Sequence, residues 1–143
     1  MLEPVNRKTA EDRRTVPLDP AALPTVLQGS VLQTDGSANG YAVLADGAAV
    51  VTDPMWSFTK STRLDVQVAI SVTVLEAPFV AEVDTDGYVG TPAAGDALEV
   101  GTGGNVGKLQ TVAVVAVSDL QNVVAYCLRA PDADGKLRIK AIR

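Results

Sequence analysis

The chain has no histidine and a single cysteine, Cys127, among its 143 residues. Without histidine there is no Ser-His-Asp or Cys-His nucleophile system and no His-based zinc site. One thiol can form neither an intrachain disulfide nor a thiolate cluster, so Cys127 reads as a small core hydrophobe, and the count fits a reducing compartment. Aromatics are only 4% of the chain while 47% is hydrophobic, so the core is expected to be built from Val, Leu, Ile and Ala. No apolar run approaches the ~20 residues that span a bilayer, so no membrane partner is expected. A net charge of −5 disfavours nucleic acid, which is read by clustered Lys and Arg. The polar start has no apolar signal-peptide core, and synthesis in a cytoplasm is the expectation.

What the chain does contain is strand and turn chemistry. Residues 1–23 balance Arg7, Lys8, Arg13 and Arg14 against Glu3, Glu11, Asp12 and Asp19. Prolines 17, 20 and 24 then favour extended backbone. The expectation is an extended N-terminal arm over 1–23, able to order on a partner, followed by a single β domain over 24–143. In the domain, apolar runs at 25–33, 41–44, 48–52, 63–75, 79–83, 97–100, 106–109, 112–117, 123–129 and 136–142 are broken by turn pairs such as Asp46-Gly47, Asp86-Gly87 and Asp134-Gly135. Such turns tolerate positive φ, and many short strands at close spacing predict an all-β fold, a small antiparallel barrel or sandwich. The clearest alternation runs through Leu64, Val66, Val68, Ile70, Val72 and Val74, predicted to line the core. Ser118 to Gln121 resembles a helix cap, but the β-favouring residues after it predict a strand beyond Asn122.

The motifs that could carry chemistry fail on spacing. In Gly101–Lys108 a phosphate loop needs glycine at 102 and Ser or Thr at 109, where Thr102 and Leu109 stand; a dinucleotide fingerprint needs glycine at 106, where Val106 stands. The run predicts a hairpin. Asp84-Thr85-Asp86-Gly87 and Asp132-Ala133-Asp134-Gly135 echo calcium loops, but the closing glutamate positions hold Ala93 and Ala141, so both read as turns. No catalytic residue, cofactor or metal site is expected.

The partner-binding candidates are charged or aromatic. Lys136, Arg138 and Lys140 alternate with Leu137, Ile139 and Ala141 and present one basic strand face: a solvated face, or a docking stripe for an acidic surface. Trp56 and Phe58 lie between two predicted strands, where they can anchor an interface or plug the end of a barrel. Arg7, Lys8, Arg13 and Arg14 of the arm complete the set.

From residue 79 onward, Phe79–Val100 with its Gly95-Asp96 strand entry, the Gly107-Lys108-Leu109 hairpin, Val123–Leu128 and the closing strand after Asp134-Gly135 together resemble tailed-phage head decoration, or cement, proteins. The likeness covers about residues 79–143. It implies a non-enzymatic virion component on the outer capsid surface, made in the host cytoplasm, with the major capsid protein as partner and self-association as a trimer or dimer. The alternatives are another phage structural component (head fibre base, tail or connector protein) and a carbohydrate- or ligand-binding β module.

Overall fold

The structure, a computed structural model, describes residues 2–4, 13–18, 29–37, 40–57, 71–113 and 116–143, with side chains left aside for 2–4, 13–14 and 71–73. The strands are β1 (Leu2–Pro4), β2 (Arg13–Pro17), β3 (Val31–Thr34), β4 (Ala42–Leu44), β5 (Met55–Ser57), β6 (Ser71–Leu75), β7 (Phe79–Val83), β8 (Ala97–Val100), β9 (Leu109–Thr111), β10 (Ala125–Arg129) and β11 (Leu137–Ala141). Among the described residues the other regular pieces are short 3-10 turns at Thr85–Gly87, Gly103–Asn105 and Val117–Asn122. The fold is therefore all-β, as the density of turn pairs predicts.

The strands form two antiparallel sheets. One has six strands in the order β1-β7-β11-β10-β8-β9, the other five in the order β2-β6-β5-β3-β4. Leu18, directly after β2, bridges Ala42 of β4; Tyr88, downstream of β7, bridges Leu109 of β9. The Val89 N–H also donates to the Leu109 carbonyl at 2.8 Å. In the five-stranded sheet the bridge joins opposite edges, β2 and β4, and in the six-stranded sheet the Tyr88 segment runs along the edge strand β9, so both cover backbone groups that would otherwise invite another chain.

The described parts of the arm are extended, but they lie along the body instead of standing apart from it. Leu2–Pro4 pairs with β7, and Arg13–Pro17 pairs with β6. Both are outermost strands in their sheets, where a proline lacking a donor is tolerated; Pro4 and Pro17 end them.

Alternation fixes the core. On β7 and β11, Phe79, Ala81, Val83, Leu137, Ile139 and Ala141 point inward and are buried. They share one apolar cluster with Val31, Trp56 and Leu75 of the five-stranded sheet and with Ala45 just after β4. The neighbours Leu32, Met55 and Val74 belong to a second cluster with Val16, Leu18 and Ala42, on the opposite face of that sheet. Val74 is thus a core residue as expected, while Leu64, Val66, Val68 and Ile70 lie outside the described residues, as does the side chain of Val72.

Several expected strands resolve differently. Residues 48–52 form an irregular loop, because the Asp46 carboxylate accepts the Ala48 N–H at 2.9 Å and closes a turn there. Val106-Gly107-Lys108 is the end of the β8–β9 hairpin, with Gly107 at φ 75°, and β9 starts only at Leu109. Beyond Asn122 the chain does enter a strand, β10, after the 3-10 turn at Val117–Asn122.

Candidate functional site

The outward face of the six-stranded sheet carries most of the polar candidates. Register sets side chains in rows across it. Arg129 of β10 faces Arg138 of β11, which faces Glu82 of β7. In the next row Ala97, Tyr126, Lys140 and Val80 follow one another from β8 to β7.

The first row is an ion-pair cluster. Glu82 Oε1 accepts from Arg138 Nη2 at 2.9 Å and from Arg129 Nη2 at 3.3 Å. Arg129 Nη2 also reaches Asp132 Oδ2 at 3.1 Å. The Arg138 hydrogen bond holds the Glu82 carboxyl below its ordinary range; partial burial opposes this, and the nearby charges of Arg129, Arg138 and Lys136 add to it. Asp132 is lowered chiefly by accepting the Lys136 backbone N–H, and so fastens the β10–β11 turn. The cluster cross-links β7, β10 and β11.

Of the three cations expected to form a docking stripe, Arg138 is therefore committed to an internal carboxylate. Lys136 lies in the turn before β11, and its N–H is held by Asp132 at 2.9 Å. Lys140 is exposed and makes no ion pair among the described residues. Of the three, Lys140 is the exposed one, while Lys136 and Arg138 are half-buried.

Trp56 is not an interface anchor. Its exposure is 0%, its ring meets Phe79 edge-on with centroids 5.5 Å apart, and its indole N–H donates to the Arg143 carbonyl at 2.9 Å. It fills the space between the sheets and ties the last residue of the chain to β5, which is the plugging alternative. Arg13 and Arg14 lie on β2, opposite Leu75 and Val74 in register. Arg7, Lys8 and Phe58 lie outside the described residues.

Sequence reasoning passed over the exposed apolar side chains. On the outward face these are Tyr126, Leu128 and Ile142, at 36%, 45% and 38% exposure. The signal was present: Tyr126 and Leu128 alternate with the buried Ala125 and Cys127. A second group sits on two loops that meet across a crease lined by Gly47, Ala49, Val51, Glu99, Val100 and Asn122. There Val117 is 83% exposed, Leu120 47% and Val50 38%.

These loops are held from several sides. The Gly47 N–H donates to the Gly101 carbonyl at 3.0 Å, and a Cβ on Gly47 would lie 1.8 Å from the Val100 carbonyl oxygen. Glycine is required here by close approach. In the second loop Asp119 Oδ2 accepts the Ala116 N–H at 2.8 Å. The Arg143 guanidinium donates to the carbonyls of Val123, at 3.1 Å, and Gln121. Val117 and Leu120 thus project from a braced turn, which lowers the ordering cost of using them in a contact.

No known family model matches the chain, and no curated protein matches it in sequence.

Proposed function

We propose that this is a non-enzymatic capsid decoration protein that binds the outer surface of a major-capsid-protein lattice and stabilises the head. The resemblance over residues 79–143 supports the reading, and that span coincides with β7 to β11, the six-stranded sheet without β1. The observation that carries it is the exposure of Val117 and Leu120 on a braced turn, with Val117 83% in water.

The mechanism is linkage. A protein that binds only the assembled lattice stabilises it by RT ln(1 + [L]/Kd), about 2.7 kcal/mol per site at 100 times Kd. Repetition over a symmetric shell multiplies this when each copy spans a boundary between capsid subunits. Contact area does the work, and no bond is made or broken.

The test is retention on purified shells. Wild-type protein should co-sediment with shells stripped of it, and the double variant Val117→Ser/Leu120→Ser should be retained about ten-fold less well, with its fold intact. Equal retention of both would remove the braced turn as the contact, and no retention of the wild type would remove the reading itself.

A further inference from the structure

The outward face of the six-stranded sheet carries charge in a pattern that complements itself. Glu99 stands on β8, its side chain opposite in direction to the buried Leu98 and Val100, and therefore on this face. Lys140 stands on β11, outward between the buried Ile139 and Ala141. Between them runs β10 with Tyr126 and Leu128. Ile142 completes the apolar strip, beyond Lys140 along the same edge of β11.

The register fixes where these groups sit. Ala97 pairs with Tyr126, and Tyr126 pairs with Lys140, so Lys140 is level with Ala97, two residues from Glu99 along the strand direction. Two strand spacings of ~4.8 Å and two residues of ~3.3 Å put their Cα atoms about 12 Å apart on a diagonal across β10. Neither Glu99 nor Lys140 takes part in an ion pair among the described residues. Glu99 Oε1 accepts the neutral Gln110 amide, at 2.9 Å. The face therefore reads acid, apolar, base along one diagonal, with its midpoint on β10 beside Tyr126.

We infer that this face binds a second copy of the same chain through a two-fold axis passing over β10 near Tyr126. Rotation by half a turn about that axis exchanges the ends of the diagonal. Glu99 of one copy then meets Lys140 of the other, twice, while the two Tyr126 rings and the apolar residues beside them are covered at the centre. Such an isologous contact is satisfied by any surface that is its own complement. Shifting the axis to the β11–β7 side would instead set Lys140 and Arg138 against their own copies, which like-charge repulsion disfavours. The partner is thus set by chemistry on the face itself, and the inference stands apart from the capsid reading.

Sedimentation equilibrium of the full chain over a range of protein and salt concentrations tests this. The wild type should show a monomer–dimer equilibrium that weakens with salt. Lys140→Glu and Glu99→Lys should each weaken dimerisation ten-fold or more, since both contacts break by symmetry. The double variant Lys140→Glu/Glu99→Lys should recover the wild-type equilibrium, an outcome that damage to the fold cannot mimic. Tyr126→Cys should cross-link to itself under mild oxidation, because the only other thiol, Cys127, is buried. A wild type that stays monomeric, single variants that dimerise normally, a double variant that fails to recover, or a Tyr126→Cys protein that does not cross-link would each overturn the inference. A dimer that fails to bind shells would refute only the capsid reading.

Discussion

Replacing Trp56 by alanine is the sharpest stability test, because it decides between an exposed anchor and a core plug. The side chain is fully buried, lies edge-on to Phe79 and donates its indole N–H to the Arg143 carbonyl. Truncating a buried Trp costs about 3–5 kcal/mol through lost transfer energy and the cavity left behind. With an unfolding entropy of about 2.1 cal/mol/K per residue, a chain of 143 residues changes by about 0.3 kcal/mol/K at its midpoint. The melting temperature should therefore fall by about 10–17 °C. Trp56→Phe keeps an aromatic partner for Phe79 and loses mainly one hydrogen bond, so it should cost only about 1–2 kcal/mol. Thermal unfolding followed by circular dichroism reads both. Trp56 is the only tryptophan, so its fluorescence reports the site alone: blue-shifted in the native protein and shielded from iodide. A Trp56→Ala protein melting within about 2 °C of wild type, or a native emission already quenched by iodide, would refute the buried placement.

Gly47→Ala should destabilise by about 1–3 kcal/mol in urea titrations, because its Cβ would collide with the Val100 carbonyl oxygen, a backbone atom that cannot swing away. Glu82 is held below its ordinary range in the folded protein, so its contribution is present above the unfolded value and lost as pH falls through the depressed folded one. Glu82→Gln should accordingly shrink the loss of stability in acid by ~1 kcal/mol or less and leave Arg129 and Arg138 without their shared acceptor; an unchanged acid limb would count against the cluster. Burial pushes the Cys127 thiol up, so alkylation at neutral pH should be slow in the native protein and fast in denaturant.

The parts of the fold that were legible in the sequence are those where local chemistry and tertiary pairing agree. Phe79–Val83 and Ala97–Val100 emerge with the expected bounds, since each is an alternating apolar run closed by a turn. The Gly101–Lys108 segment is the hairpin that its glycines demanded. Misreadings fall where an apolar run is not a strand. Residues 48–52 look like a buried strand in composition, yet Ala48, Ala49 and Val50 are exposed on a loop set by Asp46 and Gly47. Conversely, Met55–Ser57 is too short to announce itself, and it becomes a strand only because β3 and β6 flank it.

The candidate site was half legible for a similar reason. Alternation placed Lys140 and Arg138 on one face, which is correct. That Arg138 would be paired depends on the β11–β7 register, which brings Glu82 opposite it from 56 positions away. Nothing local encodes that neighbour. The burial of Trp56 likewise depends on Phe79 and Arg143, both distant in sequence.

The central claim, reinforcement of a shell from outside, is tested most directly by heating or osmotically shocking purified particles with and without the protein and scoring rupture. Shells lacking it should burst earlier and regain resistance when the purified protein is added back, with occupancy saturating as resistance does. Equal rupture in both preparations, or a protein found only inside the particle or on its tail, would contradict the account.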